Sequence, residues 1–248
     1  MSIFYFNVVK RVLYDIRDNS AYTIRKLADG NCWLTENLRL DISDSSVQAK
    51  LTSTTTNATD TVLSYLKNGG GTSPYPANGV VAKTASGGSW ADDFTNPYIA
   101  TGYKDAIQPA SGSAPAGRIG IYYNYCAASA GSYCYSYNVG SGDANYDICP
   151  KGWRLPTTGA SGEYQALYTT AYNSNITNFM TALDTPLSGL FEIGSGYSGT
   201  NGFFWSSTFA TTAYMKGLYI TGTSVNPQFA STGYGSRGFG FSIRCIAR

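Results

Sequence analysis

Residues 148–157, ICPKGWRLPT, gather the residue types that fix a backbone into one short stretch, in the middle of a chain that is poor in charge. The stretch holds one cysteine, two prolines, one glycine, one tryptophan and two cations, and an amphipathic pattern begins just after it. Proline restricts the backbone, and glycine permits conformations that other residues avoid. A stretch of this kind is typical either of an active site or of a structural anchor that holds a distant part of the chain.

The composition predicts a protein with a substantial core and no nucleic-acid-binding face. Of the 248 residues, 43% are hydrophobic and 13% are charged, which is enough apolar material for one large domain or two small ones. The net charge is +2 and no run of basic residues exceeds two, whereas binding to nucleic acid needs clustered Lys and Arg. The 21 tyrosines and 28 glycines fit either polar binding loops or tyrosine-rich β-strands.

The chain contains no histidine. This removes the commonest general base, the Ser–His and Cys–His nucleophile pairs, and the commonest metal ligand. Carboxylate or lysine chemistry remains open. The sequence nevertheless favours a non-catalytic protein, with no cofactor and no metal site.

The five cysteines predict disulfide bonds rather than a zinc site. Cys32, Cys126, Cys134, Cys149 and Cys245 include no Cys-x-x-Cys pair, and a zinc site without that spacing or a histidine is improbable. Disulfides form in an oxidising compartment. Cys126 and Cys134 bracket a loop of small residues, which suits a local disulfide, and the odd number leaves one cysteine over.

The N-terminal residues show neither a recognisable signal peptide nor a membrane span. The apolar run at 3–9 precedes its basic residues, Lys10 and Arg11, and no small-residue cleavage site follows, which is the reverse of a secretory signal. No apolar run is long enough to cross a bilayer. We expect an extracellular or cell-surface protein, or a part of a virion, whose export is encoded upstream or takes another route.

Hydrophobic periodicity predicts a strand at 21–27 with a turn at Asp29-Gly30, and a second strand at 119–125. Between them, residues 41–117 are rich in Ser, Thr, Asn, Ala and Gly. This composition predicts long polar loops laid over a core, with one short helix at 61–66.

Two helices are predicted directly after the opening stretch. Apolar residues recur at helical spacing over 164–172, with Ser161 as the N-cap. A second helical pattern covers 176–183 and is stopped by Pro186.

Three strands are predicted in the C-terminal part, at 202–208, 213–221 and 238–248, with turn-rich segments between them. Mixed helices and mostly sequential strands predict an α+β fold. Alternation in the last strand divides its side chains between two faces. Phe239, Phe241, Ile243 and Cys245 share one face, and Gly240, Ser242 and Arg244 share the other.

Three pieces of the chain together resemble a known family. They are YTIRKLADGNCWLTENL at 22–38, ICPKGWRLPTTGASGEYQAL at 148–167, and FFWSST with GFSIRCIAR at 203–208 and 240–248. The family is the Fibrobacter succinogenes major paralogous domain, a bacterial family of surface or secreted proteins. The resemblance implies a C-type-lectin-like fold of the formylglycine-generating-enzyme-like branch, with two helices, antiparallel sheets and long loops. Residues 1–248 would form one domain, with 41–117 as a long polar loop insertion.

The resemblance also implies a disulfide between Cys149 and Cys245, because lectin-like folds commonly tie the region of the first helix to the last strand. The alternative is two buried free thiols. Cys126 and Cys134 would form the second disulfide. Cys32 would then remain single, either as a buried thiol or paired with a cysteine elsewhere.

The same fold hosts the variable proteins of diversity-generating retroelements, whose ligand contacts lie on the last strands and their loops, before a fixed final strand. Here 205–237 occupies that place, ahead of GFGFSIRCIAR. The resemblance therefore implies a monomeric protein that binds a protein or glycan on another cell or surface, without membrane insertion. The candidate contact residues are Phe209, Thr211, Thr212, Met215, Lys216, Thr221, Thr223, Phe229, Ser231, Thr232, Tyr234, Ser236 and Arg237.

Other functions of this fold are less compatible with the residues. A calcium-dependent lectin site needs carboxylate ligands, and the only acid between Leu187 and Arg248 is Glu192. An oxidase of the formylglycine-generating type needs a reactive cysteine pair, and Cys245 has no cysteine near it in sequence. A structural surface protein and a carbohydrate-binding module without calcium remain as alternatives.

Two further features in the matching pieces have a functional and a structural interpretation. Trp33, Trp153 and Trp205 could form a sugar-stacking platform, but their segments favour a place in the core. Glu36 and Asn37 could bind a cation, but residues of this kind at a turn more often satisfy backbone groups.

Overall fold

The structure is a computed structural model, and it describes residues 11–68, 82–83, 99–133, 142–191, 195–196, 198–210, 215–229 and 238–248. The strands are β1 Arg11–Asp15, β2 Ser20–Lys26, β3 Cys32–Leu34, β4 Thr56–Asn57, β5 Ala82–Lys83, β6 Ile99–Ala100, β7 Ile107–Gln108, β8 Gly117–Arg118, β9 Tyr122–Tyr123, β10 Asp147–Pro150, β11 Trp153–Arg154, β12 Leu190–Phe191, β13 Ser195–Gly196, β14 Asn201–Phe209, β15 Met215–Thr221, β16 Val225–Phe229 and β17 Ile246–Ala247. The helices are α1 Ser45–Lys50, α2 Asp60–Asn68, α3 Tyr125–Ala128, α4 Glu163–Gln165, which continues as a π-helical segment Ala166–Ala171, and α5 Ile176–Leu183.

The elements form an α+β fold with mostly antiparallel sheets, as the sequence predicted. The largest sheet has the order β1-β2-β3-β17-β11, so that β17 lies between strands from distant parts of the chain. Ile246 pairs with Trp33 on one side and with Arg154 on the other. No helix in the described ranges combines the length and the apolar character that a bilayer crossing requires.

The opening stretch is a structural anchor. Cys149 and Cys245 are joined by a disulfide, with their Cα atoms 6.0 Å apart, which confirms the predicted pairing. Directly after a turn at 151–152, Trp153 and Arg154 pair with the last strand β17. The stretch thus holds the end of the chain both covalently and through backbone hydrogen bonds.

The other cysteines differ in state. Cys126 is also disulfide-bonded, and its predicted partner, Cys134, lies outside the described residues. Cys32 is a free, half-buried thiol at the start of β3.

The last stretch, 238–248, is buried on both faces instead of forming one regular strand. Phe239, Phe241, Ile243 and Cys245 all join the main core, as their shared face predicted. The backbone of this stretch, however, exchanges hydrogen bonds with several partners in turn: with Phe191, then Tyr123, then Phe203 and Trp205, then Leu38 and Leu34. Because each residue meets a different neighbour, only Ile246–Ala247 forms a regular strand.

Arg244, on the opposite face of this stretch, is fully buried at the end of α5. Its guanidinium donates to the carbonyl oxygens of Leu183 and Asp184, each at 3.0 Å. Cations are favoured at the C-terminal end of a helix, where carbonyl groups lack partners. Burial lowers the pKa of Arg244 to about 10, so the side chain stays charged at neutral pH.

The two predicted helices form, but the first begins differently from the prediction. It starts at Glu163 and Ser161 does not cap it; Gly162 occupies the cap position without a side-chain hydrogen bond. Instead, the Thr157 hydroxyl accepts from the Glu163 backbone N–H at 3.3 Å, and the Glu163 carboxylate accepts from the Thr157 backbone N–H at 2.5 Å. These two reciprocal hydrogen bonds satisfy the backbone N–H groups of Thr157 and Glu163 as a capping box would, but across a longer loop.

Residues 41–68 are more ordered than the predicted loops. They contain α1, β4 and α2, and they bury Val47, Leu51 and Leu63 in the main core. The predicted helix at 61–66 is confirmed within α2. The helix α1 and the strand β4 were predicted as loop, and they form because a few apolar residues among many Ser and Thr are enough to anchor short elements. The predicted strand at 119–125 is also shorter: β9 ends at Tyr123, and the Asn124 side chain caps α3 by accepting from the Ala127 backbone N–H at 3.0 Å.

A three-stranded C-terminal sheet, in the order β14-β15-β16, lies between two layers. Its β16 strand was predicted as a turn-rich segment, since it contains Pro227. Proline is tolerated there because β16 is an edge strand and needs hydrogen bonds on one side only.

Phe204 packs with the helices and Trp205 with the main core. Trp205 and Trp33 are fully buried, which confirms their predicted place in the core, whereas Trp153 is half-buried.

Candidate binding surface

Two of the predicted contact residues are buried and cannot touch a ligand in this structure. Phe209 is 8% exposed and Met215 is 1% exposed. The two pair across the β14–β15 hairpin, and the Phe209 ring lies 4.7 Å from the ring of Tyr133 and 6.3 Å from that of Tyr125. The prediction was wrong for these residues because they are the inward-facing end of the hairpin and extend the core.

Seven of the predicted contact residues lie outside the described residues: Thr211, Thr212, Ser231, Thr232, Tyr234, Ser236 and Arg237.

Lys216 lies on the helix side of the C-terminal sheet. It alternates along β15 with Gly217, and it shares its face with Leu218 and Ile220, which pack against the helices. Consistent with this, the Lys216 side chain reaches the loop before α4: its Nζ would lie 3.9 Å from a Cβ atom built onto Gly159 of that loop. The sheet therefore separates Lys216 from Phe229, the predicted contact residue on its opposite face.

The opposite face carries a half-buried aromatic pair, Tyr219 and Phe229. Their ring centroids are 5.2 Å apart. Both rings rest on Phe203, at 4.9 Å and 5.8 Å, and Phe203 in turn packs on Phe241 at 5.2 Å. The pair is thus supported from below by the core while its outer side reaches solvent.

Polar residues border this pair. Asn226 is exposed and pairs directly with Tyr219 across the strands. We call Tyr219, Asn226 and Phe229 the aromatic edge. Tyr219 and Asn226 were missed by the sequence analysis, although alternation along β15 separates Tyr219 from the core residue Leu218.

The adjoining hairpin turn contains the predicted residues Thr221 and Thr223, which have different roles. The Thr221 hydroxyl oxygen accepts from the backbone N–H groups of Thr223 at 3.2 Å and Ser224 at 2.9 Å. Thr221 therefore holds the turn. Thr223 is exposed at its tip and is free to contact a ligand beside the aromatic edge.

Glu36 and Asn37 have the structural role that the sequence favoured. Glu36 accepts from the backbone N–H and the hydroxyl of Thr23, at 2.9 and 2.8 Å, and pairs with Arg39 at 2.8 Å. Burial acts to raise the pKa of Glu36, but the hydrogen bonds from Thr23 and the charge of Arg39 outweigh it and lower the pKa. The Asn37 amide donates to the Ile119 carbonyl at 2.8 Å.

Asp147, at the start of β10, is a buried carboxyl whose burial raises its pKa to about 7. Its Oδ1 accepts from the Cys149 backbone N–H at 3.0 Å and from the Asn57 side-chain amide at 3.3 Å. These bonds and the positive charge of Arg248 favour the ionised form, but they do not offset the loss of water. Asp147 therefore changes charge near neutral pH.

This property predicts a pH-dependent stability. An aspartate in the unfolded chain titrates near pH 4, so between about pH 4 and pH 7 the folded state binds more protons than the unfolded state. The free energy of unfolding should then fall as the pH rises through this window. We expect Asp147→Asn to gain at least about 1.4 kcal/mol relative to the wild type between pH 5 and pH 8, the equivalent of one pKa unit.

Urea unfolding of both proteins at several pH values measures this difference directly. The subtraction cancels the contributions of carboxyls with lowered pKa, such as Glu36 and Glu163, which have the opposite sign. A difference between the two proteins that stays constant with pH would show that Asp147 titrates as an ordinary aspartate.

The described residues include no group of three or more Cys, Asp or Glu side chains placed to hold a metal ion. Comparison of the chain with protein-family models, with curated proteins and with solved structures gives no match in any of the three. The function is therefore argued from the surface itself.

Proposed function

We propose that this chain is a non-catalytic surface protein that binds a ligand or receptor through the aromatic edge of its C-terminal sheet. The observation that carries the proposal is the half-buried Tyr219–Phe229 pair on a supported sheet, beside the exposed Asn226. Aromatic side chains supply most of the energy of many interfaces, and a partly exposed aromatic pair gains from being covered. Here the core already holds the rings in position, so little conformational entropy is lost on binding.

We propose further that the chain belongs to the Fibrobacter succinogenes major paralogous domain family, as one C-type-lectin-like domain, and that it acts outside the cell or on a virion. The disulfide Cys149–Cys245 supports an oxidising compartment. The anchored final segment bonds to β14 and packs through Phe241 on Phe203, beneath the aromatic edge. This arrangement supports a fixed frame under a face that a diversity-generating retroelement could vary. A reverse transcriptase and a template repeat near the coding locus would be the genetic signature of such diversification.

The disulfide also argues against catalysis by Cys245. A nucleophilic cysteine must be available as a thiolate, and Cys245 is bonded to Cys149. Rapid labelling of Cys245 by a thiol reagent in the intact protein would contradict this part of the proposal.

The binding proposal is tested by presenting the purified protein to a glycan array and to surface proteins of candidate host cells. Asn226→Arg places a bulky cation on the aromatic edge without touching the core. We expect it to weaken capture of any specific ligand by about tenfold or more, equivalent to at least 1.4 kcal/mol. Phe229→Ala should weaken capture similarly, with a modest loss of stability because Phe229 also packs on Phe203.

Thr170→Arg is the matched control, since Thr170 is exposed on the helical side of the sheet. It should bind like the wild type. If Asn226→Arg also binds like the wild type while remaining folded, the aromatic edge is not the contact face. Capture by glycans alone would identify a carbohydrate module, and capture by one protein a receptor-binding module.

A further inference from the structure

A polar cavity lies beside β4 and β10, and none of its lining residues belongs to the C-terminal sheet that carries the aromatic edge. Its volume is about 490 Å³. Apart from Ala58, every residue that lines it carries a polar side chain, including Asn57, Tyr146, Lys151 and Arg248. Pockets for small apolar ligands are lined mostly by hydrophobic groups, so a lining of this kind suits a hydrated, polar ligand.

Among the described residues that line this pocket, the cations Lys151 and Arg248 outnumber the carboxylate Asp60, and Arg248 also acts electrostatically on the buried carboxyl of Asp147. The lining carboxylate, Asp60, accepts from the backbone N–H of Ser53 at 2.7 Å and from its hydroxyl at 2.9 Å, so it already holds the pocket wall. Lys151 and Arg248 are exposed, and neither forms an ion pair with another residue in the described ranges.

Lys151 lies in the anchor, Arg248 directly follows the strand β17 that the anchor holds, and the backbone of each is fixed by a hydrogen bond. The Lys151 N–H donates to the Thr55 carbonyl at 3.0 Å, and the Arg248 N–H donates to the Gly152 carbonyl at 3.0 Å. The Cys149–Cys245 disulfide joins the same two segments. The backbone spacing of the two cations is therefore set before any ligand arrives, which lowers the entropic cost of using both.

The remaining lining residues favour a sugar ring. Tyr146 offers a half-buried aromatic ring, which can pack on the apolar face of a pyranose. Asn57, Asn145 and Thr59 offer amide and hydroxyl groups that can bond neighbouring hydroxyls. Arginine and lysine select a carboxylate, arginine by two parallel hydrogen bonds.

We propose that this pocket binds a carboxylate-bearing monosaccharide unit, such as the acidic residue of a glycan. The site does not depend on the aromatic edge and does not require the function proposed for it. It uses the structural anchor as the rigid wall of a binding pocket.

Ligand-observed NMR titration with methyl β-D-glucuronide and with the methyl glycoside of N-acetylneuraminic acid tests this site. Methyl β-D-glucopyranoside is the neutral analogue. We expect at least one of the two acids to bind about tenfold or more tightly than the glucopyranoside, which corresponds to one charge-assisted contact of about 1.4 kcal/mol. Sodium acetate at the same concentration should compete only weakly, since it lacks the ring.

Variants locate the binding. Lys151→Ala and Arg248→Ala should each weaken binding of the acid by about fivefold or more. Lys50→Ala removes an exposed lysine from the end of α1 and should change nothing. Asn226→Arg should also leave the acid bound as in the wild type, so that failure of one site is distinguished from failure of the other.

Four results would overturn the proposal. One is the absence of binding by both acids, and another is equal binding of acid and neutral glycosides. The third is acid binding that survives both cation substitutions. Competition by acetate as strong as that by the acidic glycosides would reduce the site to a nonspecific anion contact and would equally reject a sugar-binding pocket.

Discussion

Substitution of Asp15 by asparagine is expected to lower the free energy of unfolding by about 3 to 5 kcal/mol, because it leaves the buried cation of Arg17 without a negative partner. Arg17 is fully buried, and its guanidinium contacts the Asp15 carboxylate at 2.6 and 2.8 Å. The same guanidinium donates to the Ile148 carbonyl at 2.8 Å and to the Thr56 hydroxyl at 3.2 Å. Asparagine preserves the shape of the side chain but removes the negative charge, so the desolvation cost of Arg17 is no longer offset.

Asp105→Asn is the matched control for this change. Asp105 pairs with Arg118 at 2.7 Å, almost the distance of the buried pair, but its side chain is 74% exposed. An exposed pair contributes no more than about 1 kcal/mol. Chemical denaturation of both variants should therefore show a large loss for Asp15→Asn and a small one for Asp105→Asn. Equal losses would mean that Arg17 is hydrated in solution.

Removal of the Cys149–Cys245 disulfide is expected to have an effect of similar size. The two cysteines are 96 residues apart in sequence. Closure of such a loop lowers the entropy of the unfolded chain and thereby stabilises the folded state by about 4 to 5 kcal/mol at 25 °C. The double variant Cys149→Ala with Cys245→Ala should lose about this amount, measured by guanidinium unfolding without reductant. Alanine is preferred to serine because both positions are buried in the main core.

Cys32→Ala controls for the loss of a cysteine as such. Cys32 is a free thiol on a strand end, and its substitution should cost less than about 1 kcal/mol. A double variant as stable as Cys32→Ala would show that backbone pairing by Trp153 and Arg154 suffices to hold the last strand, and that the disulfide adds little.

The parts of the fold that the sequence predicted well are those with a strong local signal. Alternation placed Phe239, Phe241, Ile243 and Cys245 on one buried face. Helical spacing followed by Pro186 located α5 correctly. The disulfide followed from a resemblance to a family, and no local pattern would have paired two cysteines so far apart.

The parts that the sequence predicted poorly depend on tertiary contacts. β16 contains a proline and few apolar residues, and it becomes a strand only because β15 offers it a free edge. Ser161 has the side chain of an N-cap, yet Glu163 bonds back to Thr157 and makes that cap unnecessary.

The predicted contact residues differ in their burial, and the sequence did not distinguish the buried ones from the accessible ones. The C-terminal sheet does carry an accessible aromatic pair, and Phe229 belongs to it. Phe209 has the same side chain but fills the core beside Tyr133, because residue type alone does not tell which end of a hairpin points inward. The polar pocket was not predicted, since Lys151 and Arg248 come together only when the anchor closes on the last strand.

The path of residues 240–248 through the fold sets an order for its formation. Gly240 bonds Phe191, Phe241 bonds Tyr123, and Cys245 accepts from Leu34, so residues 240–248 complete layers that much earlier parts of the chain began. Contacts of such long sequence separation raise the contact order and slow folding. A chain without 240–248 would leave Phe191, Tyr123 and Leu34 without these backbone partners, so we expect the docking of this segment to be a late step of folding.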